Sequence, residues 1–172
     1  VFKTGPVKWQ PLEIGDARLQ LGLTYLKLGQ FESSQEHYHS AISNCSEAAA
    51  IYLKLNLMER YQLAQHSLGE AHHRLAQTTG RIEDYRSTIH VYEDAIKYIP
   101  KETAPFQYAL FHNELGELYE SLSSLGYETD CYENAKNSYL EGLSVLTKHD
   151  QYFDLLQQRL GEVYLKLALS KD

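Results

Sequence analysis

The stretch SLGEAHHRL, residues 67–75, has a glycine in the middle of a segment that otherwise favours a helix. Related segments occur at QLGLTYLKL (20–28), ELGELYESL (114–122) and RLGEVYLKL (159–167). A glycine in a helix interior costs about 0.5–1 kcal/mol relative to alanine. Because the chain accepts this cost at four related positions, we expect a shared structural reason for it.

The four segments align as Leu-Gly-x-x-(Tyr or His)-x-x-Leu, and their glycines lie 47, 47 and 45 residues apart. A period of this length indicates a repeat array. A second motif follows each of the first three segments, at YHSAI (38–42), YEDAI (92–96) and YLEGL (139–143). Each repeat is therefore predicted to contain two helices.

Helical spacing offers a reason for the glycine. Leu68, Gly69, His72 and Leu75 fall on one stripe at 100° per residue. In the second motif the aromatic-x-x-small spacing places a tyrosine beside a small residue. We expect the two helices to pack closely where glycine meets alanine, with the tyrosines filling the space beside that contact. The glycine would then weaken the isolated helix but be needed by the helix pair.

These motifs resemble those of the tetratricopeptide repeat family, in which Leu-Gly-x-x-Tyr and a later small-x-x-x-aromatic pattern form a helix-turn-helix unit. The resemblance covers about residues 15–170, and the closing proline of the family is matched only by Pro100. It implies an all-α fold, an α-α superhelix built as a right-handed solenoid of helix-turn-helix repeats. Residues 1–11 form an unassigned extension, and residues 12–172 form one array of about three and a half repeats, with approximate bounds 12–46, 47–100, 101–147 and 148–172.

The repeats are longer than the 34 residues usual for the family. From the motif glycine to the small residue of the second motif there are 19 residues in the first repeat and 26 in the second and third. Seven extra residues are close to two helical turns. They can lengthen the helices or form loops, and the turn-like segments 78–84 and 123–130 indicate some of each.

Capping and breaking residues predict the helix bounds. Gly29 is expected to end the first helix, and a break near Asn56 would divide the third segment. Asp130 and Glu133 fit a capping box, and Asp150 is a candidate cap for the last helix. No further helix follows that last helix in the sequence. It is therefore expected either to cap the end of the array with a polar outer face or to be followed by a continuation of the array. The expected helices are 12–28, 31–45, 47–77, 84–99, 105–124, 130–147 and 151–169.

The charge distribution bears on the class of partner. The net charge is −7, and residues 101–133 hold one lysine against seven acids. Binding to a phosphate backbone calls for clustered Lys and Arg, and the sequence has no such cluster. We therefore expect no nucleic-acid partner.

Composition also predicts where the protein resides. The longest apolar run, residues 48–53, is far shorter than the ~20 residues that cross a bilayer, so we expect no membrane span. Two cysteines without CxxC spacing favour reduced thiols, which predicts an intracellular, cytoplasmic protein. The first residues lack both a starting Met and the layout of a signal peptide, so we expect the chain to be processed or to be part of a longer protein.

One cluster could in principle bind a metal. His66, Glu70 and His73 lie at offsets 0, 4 and 7 on one helix face. The pair Glu70-x-x-His73 also matches half of a di-iron motif, but that chemistry needs a second copy on another helix. No Ser/His/Asp or Cys/His set and no phosphate-binding loop is present. We therefore predict no catalytic residue, metal or cofactor, and a protein that is not an enzyme.

The family resemblance implies that the first helix of each pair lines a concave groove. A column of acids, Glu70, Glu117 and Glu162, follows the motif glycine in three consecutive repeats. This column could help to hold a basic or amide-rich peptide, or it could be part of a generic polar groove, in which Arg74 or Arg159 could neutralise it. The groove residues that the resemblance implies are Gln20, Leu23, His66, Glu70, His73, Arg74, Asn113, Glu117, Glu120, Ser121, Gln158, Arg159, Glu162 and Lys166.

One subtype of the family is disfavoured. Members that bind the C-terminal carboxylate of chaperones use Lys and Asn at positions that correspond to Leu19 and Leu23 in this sequence. The sequence therefore predicts a non-enzymatic module that binds a partner protein or peptide, with basic residues as one option, through the groove. The alternative is a regulatory sensor in which a peptide or small ligand in the groove controls an attached effector domain.

Overall fold

The computed structural model describes residues 10–126 and 130–169, and within these ranges the chain forms helices and no strand. The predicted all-α class is confirmed. No helix in the described ranges is both long enough and apolar enough to cross a membrane. The helices are α1 (Pro11–Glu32), α2 (Gln35–Lys54), α3 (Met58–Thr79), α4 (Ile82–Ile96), α5 (Pro105–Ser124), α6 (Cys131–Leu143) and α7 (Phe153–Leu169).

The chain forms two compact units, and the boundary between them falls between Ala71 and His72, inside α3. The first unit contains α1, α2 and the first part of α3. The second unit contains the remainder of α3 with α4, α5, α6 and α7. Residues 1–9 of the predicted N-terminal extension lie outside the described ranges.

Several predicted helix bounds are confirmed and others are wrong. The helix expected at 31–45 is α2, which continues to Lys54, so the next helix begins at Met58 rather than at 47. α5 begins at Pro105 and ends at Ser124 as expected. The break near Asn56 is present, because Asn56 has a φ of 57° and lies between α2 and α3. Gly29 does not end α1, which continues to Glu32 and stops at the left-handed residue Ser33. Gly29 is instead buried inside the helix, where it makes room for a packed aromatic ring.

The two predicted acidic caps are also wrong. Asp130 precedes α6, but its side chain accepts no capping hydrogen bond, and Glu133 is paired with Lys136. α6 ends at Leu143 rather than near 147. The carboxylate of Asp150 accepts hydrogen bonds from the backbone N–H of Thr147 at 2.6 Å and from its hydroxyl at 2.8 Å. These bonds stabilise the turn before α7 and lower the pKa of Asp150.

The extra residues of the longer repeats are used in both of the expected ways. In the second repeat they lengthen α4 ahead of its tyrosine motif. In the third repeat some of them lie between α5 and α6, where residues 127–129 fall outside the described ranges. Gly80 and Gly126, with φ of 67° and 78°, lie in the two predicted turn segments.

In the first unit, glycines allow α1 and α2 to pack closely. A Cβ added to Gly22 would lie 2.4 Å from Cys45 Sγ, a distance that real Cβ atoms do not show, and 3.2 Å from the backbone nitrogen of Cys45, which is a tight contact. Gly15 and Gly29 are buried in the same way, seven residues before and seven residues after Gly22. The contacts are Gly15 with Tyr52, Gly22 with Cys45, and Gly29 with Tyr38.

In the second unit the motif glycine, Gly116, makes a different contact. A Cβ added to Gly116 would lie 2.2 Å from a ring carbon of Tyr139. The tyrosine ring therefore lies directly on the glycine, whereas the motif predicted that it fills space beside a glycine–alanine contact. Gly142 of α6 faces the backbone oxygen of Ala109 and a methyl group of Leu156 instead.

The predicted apolar stripe of the first motif is buried in only some of the helices. Leu115, Gly116 and Leu122 are buried in α5. In α1, by contrast, Leu21 and Leu28 are exposed, and the buried leucines are Leu19 and Leu26. The stripe prediction is wrong for α1 because α2 packs on the face that carries Gly15, Gly22 and Gly29.

Candidate partner-binding groove

A polar groove of about 500 Å³ lies in the second unit. Most of its lining comes from α5 and α7, the helices that carry the third and fourth Leu-Gly motifs, and the remainder comes from α4 and the residue after α5. The lining residues are Tyr85, Glu117, Glu120, Ser121, Ser124, Leu125, Arg159, Glu162 and Lys166.

The groove contains many of the residues that the resemblance implied for the second unit. Glu117, Glu120 and Ser121 of α5 line it together with Arg159, Glu162 and Lys166 of α7. Two further implied residues do not line the groove but donate hydrogen bonds to carboxylates that do. Asn113 is buried and donates a hydrogen bond to Glu117 at 2.8 Å, and Gln158 is exposed and donates one to Glu162 at 2.9 Å.

His73 and Arg74 of α3 are not among the groove-lining residues. The ring of His73 contacts that of Tyr85 edge-on, with centroids 6.2 Å apart. Gln77 lies 3.2 Å from His73 Nε2 and accepts a hydrogen bond from Arg74 at 3.4 Å. The His73 ring thus supports the tyrosine that forms part of the groove lining.

The remaining implied residues belong to the first unit. On α1, Gln20 is exposed and Leu23 is half-buried. On α3, His66 and Glu70 are half-buried, and Glu70 accepts a hydrogen bond from Gln30 at 2.8 Å. Burial lowers the pKa of His66, an effect that the charge of Glu70 opposes. Among the residues that the structure describes, no group of three potential metal ligands is found.

Glu117 is neutralised by an arginine of the next motif helix. Arg159 lies 2.8 Å from the Glu117 carboxylate, and both side chains are about one-third exposed. This is one of the two alternatives that the sequence left open for the acidic column. A carboxylate held by both an arginine and Asn113 is a fixed acceptor rather than an uncompensated negative charge.

Glu120, which is more buried than Glu117, forms a second pair. It accepts a hydrogen bond from the hydroxyl of Tyr139 at 2.6 Å and forms an ion pair with Lys166. Burial raises the pKa of Tyr139, and the bond to Glu120 raises it further. The same carboxylate raises the pKa of Lys166, whose ammonium lies 5.6 Å from the ring centroid of Tyr132. These contacts hold both side chains in place before any ligand arrives.

Glu162 differs from the other two groove carboxylates because it is exposed. Leu125, at the end of α5, is also exposed, with 44% of its surface accessible. The groove thus presents an accessible carboxylate and an accessible apolar side chain next to two established ion pairs. Such a surface can hydrogen-bond a polypeptide and contact one apolar side chain.

Sequence reasoning missed Tyr85, Ser124 and Leu125. Tyr85 was missed because it lies on α4, the second helix of its pair, which was not expected to face the groove. A signal was available, since Tyr85 lies seven residues before the motif tyrosine Tyr92 and therefore on the same helix face.

A family model described as tetratricopeptide repeat matches residues 15–47, which cover most of α1 and the first part of α2. The chain carries a tetratricopeptide repeat. This tetratricopeptide repeat includes the close contact between Gly22 and Cys45.

Comparison with solved structures finds a similar chain, the crystal structure of a de novo designed helical repeat protein. It is 17% identical with a TM-score of 0.49, and the match covers 92% of this chain and 81% of the designed one. No curated protein matches the chain.

Proposed function

We propose that the chain is a non-enzymatic protein-interaction module that binds a peptide segment of a partner protein in the groove of the second unit. The observation that supports this most is the fixed arrangement of its polar lining, in which Arg159 holds Glu117 and Lys166 holds Glu120. Tetratricopeptide repeats generally mediate protein–protein interactions, and the chain carries one.

The fixed ion pairs favour peptide binding for an energetic reason. Ordering a long charged side chain at an interface costs about 0.5–1.5 kcal/mol. In this groove Lys166 and Glu120 are already ordered by each other and by Tyr139. A ligand that hydrogen-bonds these groups does not have to supply that ordering free energy.

The accessible groups indicate which peptide is preferred. Glu162 favours a Lys or Arg in the ligand, and Leu125 favours an apolar side chain nearby. An exposed ion pair contributes about 0.2–1 kcal/mol. A basic residue therefore adjusts affinity about 1.4- to fivefold rather than deciding whether binding occurs.

Selection from a library of short random peptides tests the proposal. We expect peptides selected on the unaltered chain to be enriched in Lys and Arg, and the enrichment to fall on the Glu162→Lys variant. Glu102→Lys is the matched control, because Glu102 is an exposed acid that does not line the groove. Selected peptides should bind the control variant as they bind the unaltered chain.

Two results would contradict the proposal. If no peptide is selected above background on the unaltered chain, the groove is not a peptide site. If the Glu162→Lys and Glu102→Lys variants select the same sequences as the unaltered chain, the preference for basic residues is wrong even if peptides bind.

A further inference from the structure

A second cleft, of about 310 Å³, lies between α4, α5 and α6 in the second unit and shares no lining residue with the groove. We call it the α4–α6 cleft and define it by Glu93 of α4, Leu115 and Tyr119 of α5, and Ser138 and Glu141 of α6. On α5 the cleft and the groove lie on opposite sides of the helix. Leu115 and Tyr119 are each two residues from a carboxylate that lines the groove, which corresponds to about 200° around a helix.

The cleft carries negative charge, and no Lys or Arg is among its described lining residues. Glu141 is exposed and Glu93 is half-buried. Tyr108 donates a hydrogen bond to Glu141 at 3.1 Å, and Tyr119 donates one to Glu93 at 3.3 Å. The exposed ring of His90 lies 3.4 Å from Glu93. In the groove, by contrast, two of the three carboxylates are paired with a Lys or Arg of α7.

The histidine of the cleft does not supply a positive charge. His112 lines the cleft from α5 and packs against Tyr108, with ring centroids 4.4 Å apart. Both of its ring nitrogens are buried, and neither has a hydrogen-bond partner in the part of the chain that the structure describes. Burial lowers the pKa of His112 to about 4, an effect that the charge of Glu141 opposes. The ring is therefore neutral near pH 7, and the charge of the two carboxylates remains.

Three polar side chains of α6 add unused hydrogen-bonding capacity to the cleft. Ser138 has 8% of its surface accessible, and its hydroxyl forms no hydrogen bond with the described residues. The side-chain amides of Asn134 and Asn137 line the same wall and are equally unengaged within residues 10–126 and 130–169. Buried polar groups are normally hydrogen-bonded. A ligand that donates a hydrogen bond to Ser138 therefore meets an acceptor for which no described protein group competes.

The arrangement of these groups favours an organic cation over a metal ion. A metal ion draws its ligands to about 2.0–2.6 Å from one point, and no group of three His, Cys, Asp or Glu residues in the described ranges could hold one. A guanidinium spreads five N–H donors over a plane, whereas an alkylammonium has three on a single nitrogen. The volume of the cleft is at the low end of the ~300–1,000 Å³ typical of small-ligand sites.

We propose that the α4–α6 cleft binds an alkylguanidinium group. Glu93 and Glu141 balance its positive charge, and the hydroxyl of Ser138 accepts one of its N–H bonds. Ile96 and Leu115, which also line the cleft, contact its aliphatic chain. The group belongs either to a free small molecule or to an arginine of a polypeptide, and its chemistry is the same in both cases. The site does not depend on the peptide groove.

Titration of the isotope-labelled protein with butylguanidinium, followed by NMR, tests this proposal. The side-chain amide signals of Asn134 and Asn137 report on the cleft directly, and we expect them to shift in a saturable way. Glu93→Gln and Glu141→Gln should each weaken binding about threefold or more, because an exposed ion pair contributes up to about fivefold. Glutamine retains an oxygen that accepts the hydrogen bond of the neighbouring tyrosine, so the fold should be preserved.

Three further variants separate the cleft from a general attraction to this acidic protein. Asp94→Asn removes an exposed charge next to Glu93 that does not line the cleft, and Glu162→Gln removes the accessible carboxylate of the groove. Both should bind butylguanidinium as the unaltered protein does. Asn137→Arg changes an exposed residue of the cleft wall and supplies a guanidinium from the chain itself. It should abolish the binding of butylguanidinium.

Two more ligands define what the cleft recognises. Butylammonium should bind about threefold or more weakly than butylguanidinium, because it offers fewer hydrogen-bond donors. Acetyl-arginine amide distinguishes the two sources of the group. If it binds about tenfold or more tightly than butylguanidinium, the source is an arginine of a polypeptide, and if it binds equally or more weakly, the source is a free small molecule.

Three results would overturn the proposal. The first is that the signals of Asn134 and Asn137 do not move during the titration. The second is that Asp94→Asn weakens binding as much as Glu141→Gln does, which would mean that the ligand responds only to the net charge of the protein. The third is that butylammonium binds as tightly as butylguanidinium, which would mean that the cleft does not recognise the guanidinium group.

Discussion

The helices α1 and α7 contain nearly the same nine residues, 21–29 and 160–168, but bury opposite faces. In α1, Gly22 and Leu26 are buried under α2, while Thr24 is exposed. In α7 the equivalent of Thr24 is Val163, which is fully buried, while Gly161 and Leu165 are exposed.

This difference shows that the motif specifies a helix that can be buried on either of two faces, and that the motif does not specify which face is buried. One of the three substitutions between the two segments follows the burial, since the exposed threonine of α1 becomes a buried valine in α7. The glycine does not change with burial, because α7 has Gly161 at the position of Gly22 although no helix in the described ranges packs on it. Glycine is therefore a necessary feature of a close helix pair and not proof that the pair exists.

Truncation of the equivalent leucines should give the largest contrast. Leu26→Ala removes a buried side chain and should lower the free energy of unfolding by about 2–5 kcal/mol. Leu165→Ala removes an exposed side chain and should change it by no more than about 0.5 kcal/mol. Urea unfolding followed by circular dichroism measures both. A large loss for Leu165→Ala would show that the face of α7 that carries Leu165 is covered in solution.

Alanine at the two motif glycines should act with opposite sign. Gly22→Ala places a Cβ against Cys45 and should destabilise the protein by about 1–3 kcal/mol. Gly161→Ala meets no neighbour and should stabilise it by about 0.5–1 kcal/mol, because alanine is the better helix former. The shift in thermal midpoint of each variant measures the effect, and equal shifts of the same sign would contradict the comparison.

The smallest expected effect is a pH dependence that α1 has and α7 lacks. The carboxylate of Asp16 is ion-paired with Arg60 and accepts a hydrogen bond from Tyr52 at 2.7 Å, while the equivalent residue of α7 is Leu155. The hydrogen bond from Arg60, followed by that from Tyr52, lowers the pKa of Asp16. Because its folded pKa lies below the unfolded value, this stabilisation is complete above about pH 4 and is lost as the pH falls through the folded pKa.

A pair of unfolding series at pH 7 and pH 3 measures the contribution of Asp16. The stability advantage of the unaltered protein over Asp16→Asn should shrink at the lower pH. Since the Asp16 side chain is 43% exposed, the change should stay below about 1 kcal/mol. An advantage that is the same at both pH values would show that the Asp16 carboxylate does not contribute through its charge.

Much of the fold could be predicted from local signals. The break at Asn56 and the start of α5 at Pro105 depend on residues whose backbone preferences act wherever they occur. The wrong predictions concern residues whose role depends on which other residue they contact in the folded chain. Gly29 can end a helix, but Tyr38 makes it a packing residue. Asp150 can cap a helix, but its carboxylate accepts hydrogen bonds from Thr147, on the side away from α7.

The candidate groove shows the same division. The sequence placed Glu117, Glu120, Arg159, Glu162 and Lys166 on motif helices, and the structure brings them to one groove. The sequence left open whether the acids are neutralised, and no local pattern could decide it. The pairs that Glu117 and Glu120 form join residues more than forty positions apart, so only the packing of α7 against the α5–α6 pair creates them.

The sequence by itself determined that this chain is helical and repeats a two-helix unit. The 3.6-residue period is a local property of each segment, and the Leu-Gly motif occurs four times at a nearly constant spacing. Only the tertiary structure decided which face of each motif helix is buried and which carboxylates are paired. Burial and ion pairing depend on neighbours that are distant along the chain, and two nearly identical segments can therefore meet different neighbours.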